Sequence, residues 1–167
     1  MNFEPGYKIP DDTCIGHVHL KVADLKRSLD FYCKLLGFEL ITTYGEEAAF
    51  ISAGGYHHHI GLNSWYSKNG PVPPRNATGL FHVAIRYPTR KDLALIYDRI
   101  RKSGYPLTGA SDHGVSEALY LNDPDNNGLE LYWDKPKNEW PENEEGNLIM
   151  YTAALDLKGL MEELTMQ

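Results

Sequence analysis

The sequence has few cysteines and no long hydrophobic run. Its two cysteines, Cys14 and Cys33, follow no metal-binding spacing, and so few are typical of reduced thiols in an intracellular protein. No apolar segment approaches the roughly 20 residues that cross a bilayer. The first residues (Met-Asn-Phe-Glu-Pro-Gly) have neither the charged nor the apolar segment of a secretory signal. We therefore expect a cytoplasmic protein with no membrane partner.

Positive charge is also scarce. The chain has 16 Lys and Arg residues against 23 Asp and Glu residues, which gives a formal net charge of -7. No basic cluster stands out, and nucleic acids bind basic surfaces, so we expect no nucleic-acid partner. The 167 residues with 42% hydrophobic content predict one compact domain with its own core. The 11 tyrosines combine an apolar ring with a polar tip, which suits the lining of a pocket.

One pattern of predicted elements occurs twice along the chain. In each copy an alternating strand begins at a histidine, His17 or His82, and is followed by a helix and three further strands. The first copy covers residues 14–63 and the second covers residues 80–133. A linker rich in proline and glycine, residues 64–79, separates the copies.

The repeat predicts an α+β fold in which two βαβββ modules pair into a half-open β-barrel with the helices outside. The predicted single domain covers residues 14–133, preceded by an irregular lead-in at 1–13. We expect the C-terminal extension, 134–167, to add an edge strand and a short amphipathic helix. Within the second module we expect a strand at 105–108 and a loop at 109–114.

Capping and turn residues mark the element boundaries. Asp24 is a typical N-cap for the first helix, and Gly37 is the expected stop. The second helix is predicted over residues 90–103 and ends at Gly104. Residues 123–128 (Asp-Pro-Asp-Asn-Asn-Gly) predict a tight hairpin turn.

Three polar residues are expected on the concave side of the paired sheets. His17 and His82 open the first strand of each module, and Glu130 interrupts an otherwise apolar closing strand. Alone, each residue is more typical of a hydrogen-bonded surface position. Together, two imidazoles and one carboxylate form the ligand set that suits Fe(II) and leaves coordination positions open, although Mn(II) or another divalent metal suits it too.

The run His57-His58-His59 precedes the predicted fourth strand of the first module. Three consecutive histidines indicate either a metal site or the polar, exposed end of a strand. If the run contributes to the metal site, His59 is the candidate for a fourth ligand.

Several motifs resemble a known superfamily. The segment Gly16–Val22, with the downstream residues Asp24, Phe31-Tyr32 and Leu36-Gly37-Phe38, is similar to the vicinal oxygen chelate superfamily, which includes glyoxalase I, bleomycin resistance proteins and extradiol dioxygenases. Four further segments resemble the catechol 2,3-dioxygenases within it: Tyr56–Leu62, Phe81–Ala84, Asp112–Ser116, and Tyr120 to Glu130. The resemblance covers residues 14–155 and implies the paired βαβββ fold.

The resemblance also implies a set of roles. Fe(II) would be held by His17, His82 and Glu130. His58 matches the acid–base residue outside the metal ligands, Tyr120 matches the tyrosine that binds the substrate hydroxyl, and His113 resembles a further pocket histidine. The implied partners are a catechol-type aromatic diol and O₂, in the breakdown of aromatic compounds. Proteins of this kind often form homodimers or higher homo-oligomers.

Two other functions are compatible with the fold. A lyase or isomerase of the glyoxalase I type uses four ligands, with a carboxylate on the fourth strand of each module. The first module offers His57 to His59 there and no Asp or Glu, which argues against that chemistry. A non-catalytic binding or resistance protein often lacks the ligand set, whereas this chain has every member of it.

Overall fold

Nine strands form two separate sheets in this computed structural model, which describes residues 6–74 and 76–165. The strands are β1 (Val18–Lys21), β2 (Glu39–Tyr44), β3 (Ala48–Ser52), β4 (Ile60–Asn63), β5 (Val83–Arg86), β6 (Gly109–Asp112), β7 (Ser116–Asn122), β8 (Gly128–Asp134) and β9 (Ala153–Ala154). The helices are α1 (Leu25–Leu29), which continues as a π-helix over Asp30–Leu35, α2 (Arg90–Ser103) and α3 (Leu157–Glu162). None of these helices has the length and apolar character that a membrane crossing requires.

Each sheet is built by one βαβββ module. The first has the strand order β1-β4-β3-β2, and the second has the order β5-β8-β7-β6 with β9 added at its edge. In both modules the first and fourth strands pair in parallel, as a helical crossover requires, and the other pairs are antiparallel. The predicted fold class is confirmed, with two sheets that do not close into a barrel.

The two parallel pairs have matching registers. His19 lies opposite Gly61 in the first module, and Ala84 lies opposite Glu130 in the second. Gly61 is therefore the positional counterpart of Glu130. His17 and His82 correspond as well, because each stands one residue before its strand.

The helix boundaries agree with the capping residues. The Asp24 side chain accepts a hydrogen bond from the Arg27 amide at the start of α1, and Thr89 caps α2 in the same way. The chain leaves its helices at Gly37 and Gly104, whose φ angles of 90° and 72° favour glycine.

Strand boundaries agree less well. The strand predicted at 105–108 is wrong, because the paired segment is β6, four residues later, where a loop was predicted. Tyr105 and Leu107 instead pack against the core, and the Tyr105 hydroxyl donates to the Asn122 carbonyl oxygen at 2.8 Å. The Gly-Ala-Ser-Asp composition of β6 is poor for a strand, but pairing with β7 on one side and β9 on the other overrides that preference.

Two aspartates of the β7–β8 turn join the second module to the first. Asp123 accepts a hydrogen bond from the Tyr32 hydroxyl at 3.0 Å, with both side chains buried. Asp125 accepts from the Ala23 amide at 3.1 Å and forms an ion pair with Arg27 at 2.5 Å. The predicted turn is therefore also a clasp between the modules, called here the Asp123–Asp125 clasp.

The C-terminal extension packs along the second module. β9 pairs with β6, which gives the predicted edge strand a length of two residues. Arg90 at the start of α2 holds α3 through the Glu163 carboxylate at 2.8 Å and the Gly159 carbonyl oxygen at 3.2 Å. Leu160 of α3 is buried in the core. Of the predicted lead-in, residues 6–13 are described and form no helix or strand.

Candidate active site

The parallel pairing of β5 and β8 brings His82 and Glu130 together. The His82 Nε2 atom lies 3.1 Å from a Glu130 carboxylate oxygen, and only 14% of the Glu130 side chain is exposed. The other His82 ring nitrogen, Nδ1, is buried and has no hydrogen-bond partner among the described residues. Gly128 permits this approach, because a Cβ at that position would collide with the Phe81 carbonyl oxygen.

Tyr120 extends this group from the neighbouring strand. β7 places Tyr120 directly opposite Glu130, and its hydroxyl donates to the second carboxylate oxygen at 2.7 Å. Burial raises the pKa of Tyr120 well above its usual range, and the Glu130 carboxylate adds to the shift. The phenol is therefore protonated at neutral pH and acts as a donor.

His113 completes the hydrogen-bonded series. Its Nε2 atom lies 2.7 Å from the Tyr120 hydroxyl, and its Nδ1 donates to the Tyr151 carbonyl oxygen at 2.9 Å. A neutral ring that donates through Nδ1 has a lone pair on Nε2. The single Tyr120 proton therefore has two acceptors within 2.7 Å, Glu130 and His113.

The C-terminal extension fixes His113 in this position. Besides the Tyr151 carbonyl, the Thr152 hydroxyl lies 3.3 Å from His113 Nδ1. Gly114 is packed so closely that an added Cβ would lie 2.7 Å from the Tyr151 ring and 2.9 Å from Pro141. The family resemblance implies that His113 is a pocket histidine, but it does not reveal that the chain's own tail orients it.

These residues border a cleft of about 880 Å³. His82, His113 and Tyr120 line it together with Phe81, Thr152 and the linker proline Pro74. All its lining residues come from the linker, the second module and the C-terminal extension. This volume and the mixed aromatic and polar lining are in the range of small-molecule sites.

A second polar cluster lies on the first module. The His17 ring is exposed and lies 4.4 Å from the His58 ring, between centroids. The Nδ1 atoms of His57 and His58 are 2.8 Å apart, and Phe50 contacts the His58 ring edge-on at 5.1 Å. Desolvation lowers the pKa of His58, and charge repulsion from the neighbouring histidines, with His17 contributing most, lowers it further. His58 is therefore a neutral base at neutral pH.

His59 is bound into the turn between β3 and β4. Its Nδ1 atom accepts from the Ala53 amide at 3.3 Å and lies 2.9 Å from the Ser52 hydroxyl. Its backbone continues the sheet, because its amide donates to the Ile51 carbonyl oxygen and its carbonyl accepts from Val18. These bonds anchor the histidine run to the end of the sheet.

His19 belongs to the same polar face. Its ring lies against Gly61, where an added Cβ would be 2.8 Å from His19 Nδ1. Phe50 and Trp65 surround the ring with centroids 5.8 and 5.9 Å away. Burial lowers the pKa of His19, and His17 lowers it further. Side chains alternate along a strand, so His19 lies on the same side as His17, two residues earlier. This alternation is the sequence signal that predicts that the two histidines are neighbours.

The fit of a metal to these residues is partial. The second module offers two adjacent donors, His82 Nε2 and a Glu130 carboxylate oxygen. Within the part of the chain that the structure describes, the unpartnered His82 nitrogen is Nδ1, the ring nitrogen that does not face Glu130. His17 lies instead in the cluster of the first module. Among the described residues, no three His, Cys, Asp or Glu side chains are arranged to hold a metal ion.

Comparison with known proteins identifies the family. Residues 14–131 match the model of the Glyoxalase/Bleomycin resistance protein/Dioxygenase superfamily, and the chain belongs to that superfamily. It is 42% identical over 155 residues to a catechol-2,3-dioxygenase from Bacillus subtilis (strain 168). The aligned region covers 93% of this chain and 53% of that protein. It is 28% identical over 127 residues to a lactoylglutathione lyase from Escherichia coli O157:H7. That aligned region covers 71% of this chain and 91% of the lyase.

A solved structure supports the same fold. The glyoxylase/bleomycin resistance protein/dioxygenase domain from Frankia sp. EAN1pec superposes with a TM-score of 0.64 at 23% identity, and covers 75% of this chain and 94% of that one. The chain spans about half the length of the Bacillus protein.

Proposed function

We propose that the protein is an extradiol dioxygenase that cleaves a catechol-type aromatic diol with O₂. The reaction would depend on a divalent metal, for which Fe(II) is the first candidate. The observation that carries this proposal is the hydrogen-bonded series His113–Tyr120–Glu130–His82 at the cleft. The 42% identity to a catechol-2,3-dioxygenase supports it. A redox-active metal would supply the activation of O₂. Its ligands would be His82 and Glu130 with His17.

Tyr120 suits the recognition of a diol. Its phenol is protonated at neutral pH, so it can donate a hydrogen bond to a diol oxygen that enters the cleft. His113 is held by the tail with a free lone pair on Nε2, at 2.7 Å from the phenol oxygen. His113 can accept the Tyr120 hydrogen bond until a diol oxygen replaces it as the acceptor. The pair therefore orients the substrate and holds a proton beside it.

His58 suits the transfer of protons during ring cleavage. Its lowered pKa provides a neutral imidazole at physiological pH, and a positioned acid–base of this kind contributes about 10²–10⁴-fold to a rate. His57 Nδ1 at 2.8 Å and the Phe50 edge fix the ring orientation. His58 would act from the side of the site to which His17 belongs.

The second candidate function is that of a lyase, which the Escherichia coli relative brings into consideration. A four-ligand site would need a carboxylate at residue 61, the counterpart of Glu130. That position is Gly61, and the His19 ring occupies the space beside it. We therefore favour the dioxygenase.

The test is anaerobic loading with Fe(II), followed by oxygen uptake with a panel of catechols and a spectroscopic search for ring-cleavage product. Glu130→Ala is the matched control, because loss of the carboxylate should remove metal and oxygen uptake together. Uptake with a catechol supports the proposal. No uptake with any catechol from an iron-loaded protein, or turnover of lactoylglutathione by the same sample, contradicts it.

A further inference from the structure

Lys135, the first residue after β8, is bound to the loop that carries His113. This loop, called here the His113 loop, runs from Asp112 at the end of β6 to Ser116 at the start of β7. We propose that Lys135 is a positioning residue for the reaction: it holds the His113 loop through Asp112 and so directs the His113 ring at Tyr120. The role of His113 in the reaction rests on the proposed function, and this inference adds the residue that keeps His113 in place.

The Lys135 ammonium group contacts both oxygens of the Asp112 carboxylate. Its Nζ atom lies 2.8 Å from each oxygen, and only 16% of the Lys135 side chain and 25% of the Asp112 side chain are exposed. Burial alone would raise the pKa of Asp112, but the hydrogen bonds from Lys135 and from the Gly114 amide outweigh burial and lower the pKa. The carboxylate is therefore ionised at neutral pH, and water screens the ion pair weakly because the pair is largely buried.

Lys135 binds the His113 loop on both sides of the histidine. Asp112 precedes His113, and its Oδ1 atom also accepts a hydrogen bond from the Gly114 amide at 2.7 Å. Val115 follows the turn, and its carbonyl oxygen accepts from the Lys135 amide at 2.9 Å. Gly114 has a φ angle of 80°, which glycine adopts readily and which allows the sharp turn. The side chain and the backbone of one residue therefore hold this turn from two directions.

Asp112 and His113 point to opposite sides of the sheet, because consecutive side chains alternate along a strand. His113 lines the cleft together with Ser111, whereas the described residues that line it include neither Asp112 nor Lys135. The ion pair therefore supports His113 from outside the cleft and does not contact a molecule bound within it. Lys135 can affect the reaction only through the residue that it positions.

Two sets of bonds meet at His113. The tail holds the ring, because Nδ1 donates to the Tyr151 carbonyl oxygen at 2.9 Å, and the Tyr151 amide donates to the His113 carbonyl oxygen at 3.3 Å. Lys135 joins the loop to the start of the same tail, because its own carbonyl oxygen accepts from Trp140 Nε1 at 2.8 Å. The Nδ1 bond requires the loop and the tail to keep their relative positions, so release of Asp112 should weaken it. The tautomer of the His113 ring therefore reports on the position of the loop.

Imidazole ¹⁵N NMR of the metal-free protein tests the inference without any need for activity. The spectra distinguish a ring protonated at Nδ1 from one protonated at Nε2 or at both nitrogens, and comparison with His113→Ala assigns the His113 signals. The wild type should show the Nδ1–H tautomer. Lys135→Met keeps a long side chain but removes its charge, and it should shift His113 towards a mixture of tautomers. Lys135→Arg keeps the charge and should restore the wild-type signals.

Lys102→Met is the matched control, because it makes the same chemical change in another ion pair. Lys102 lies on α2 and pairs with Asp98. Its replacement should leave the His113 signals unchanged. Circular dichroism and thermal unfolding establish that each variant is folded. If Lys135→Met does not fold, Asp112→Asn takes its place, since it removes the same charge pair and keeps an oxygen that can accept from the Gly114 amide.

Oxygen uptake by the iron-loaded protein with a catechol provides the second measurement. Displacement of a positioned group by about 1 Å can lower a rate about 100-fold, so Lys135→Met should lower kcat/KM by about 10- to 100-fold. In a His113→Ala background the same substitution should cause almost no further loss, because the residue through which Lys135 acts is missing. A residue that only stabilises the fold would lower kcat/KM by the same factor in both backgrounds.

The outcomes separate this inference from the proposed function. A tautomer shift in Lys135→Met that Lys135→Arg reverses, and that Lys102→Met does not cause, supports the positioning role. Wild-type His113 signals in folded Lys135→Met overturn it, and so does an equal loss of kcat/KM with and without His113. A wild-type protein that cleaves no catechol contradicts the proposed function alone, and the His113 signals then decide the role of Lys135.

Discussion

The imidazole of His19 lies against Gly61, so close that a methyl group at residue 61 would come within 2.8 Å of His19 Nδ1. Gly61 is the counterpart of Glu130 in the other module. The first module thus has a ring where the second has a carboxylate. The two modules share one strand order and register but differ in the side chain at this position.

Gly61→Ala should destabilise the protein, because the new methyl group displaces the His19 ring. Overpacking costs about 1–3 kcal/mol in a well-packed core, and we expect the lower end here because His19 is exposed and its ring can turn aside. Urea unfolding of Gly61→Ala, His19→Ala and the double variant gives the coupling free energy. The double variant should be more stable than the sum of the single effects predicts. Strict additivity would show that the two residues do not compete for the same space.

Tyr120→Phe should lower kcat/KM while metal content is unchanged. The variant loses the hydroxyl that lies 2.7 Å from both Glu130 and His113, and with it the proposed donor to the substrate. Loss of a hydrogen bond to a charged group costs about 1.5–3 kcal/mol, or roughly 10- to 150-fold. Steady-state kinetics with metal analysis of the same samples checks this. A parallel loss of metal would assign Tyr120 to the support of Glu130 alone.

His113 should act through its position. His113→Asn places an amide nitrogen near the position of Nδ1, so it can retain the bond to the Tyr151 carbonyl but not the contact with Tyr120. His113→Gln reaches the Tyr120 hydroxyl instead. If activity depends on the Tyr120 contact, the His113→Gln variant should retain more activity than the His113→Asn variant. The pH profile of kcat should then change more in His113→Asn. Equal losses would indicate a purely structural role.

The sequence predicts a good part of this molecule, because its strongest signals are local. The alternation of β8 sets Glu130 apart from its apolar neighbours, and the repeat identifies His82 as its companion, which the structure joins at 3.1 Å. Asp24 and Gly37 mark a helix through chemistry confined to a few residues. These features depend on neighbours in sequence or on the repeat.

The features that escaped prediction depend on distant contacts. β6 forms from Gly109–Asp112 because β7 and β9 lie on either side, and nothing in its own composition favours a strand. The Tyr151 carbonyl that orients His113 lies 38 residues away. Which surface His17 faces is decided by how the modules pack, and no periodicity within a module contains that information.

His58→Phe should retain metal and lose turnover. The substitution removes the imidazole that accepts and donates protons, and the expected loss in kcat is about 10²–10⁴-fold. His57→Phe is the matched control in the same run, with a smaller expected loss because His57 only orients its neighbour through Nδ1. If His58→Phe empties the metal site, His58 is a ligand and its proposed role is wrong.

Tyr32→Phe should weaken the clasp, and by more at neutral than at acidic pH. The variant removes the hydroxyl that donates to the buried Asp123 carboxylate at 3.0 Å, at a cost of about 1.5–3 kcal/mol. Burial raises the pKa of Asp123, and hydrogen bonds from Asn127, Tyr32 and Asp125 oppose that shift. Without Tyr32 the folded-state pKa rises further. A raised folded-state pKa favours the folded protein below the unfolded value, and this contribution is lost as pH rises.

The stability deficit of Tyr32→Phe should therefore be largest at about pH 7 and shrink towards about pH 4.5, close to the ordinary range of an Asp carboxyl. Free energies of unfolding from urea titrations at both pH values measure it. Tyr105→Phe is the control, because its hydroxyl donates to the neutral Asn122 carbonyl at 2.8 Å. Its deficit should vary little with pH, since a backbone carbonyl has no proton to gain. An equal pH dependence in both variants would mean that Asp123 does not titrate as the buried partner of Tyr32.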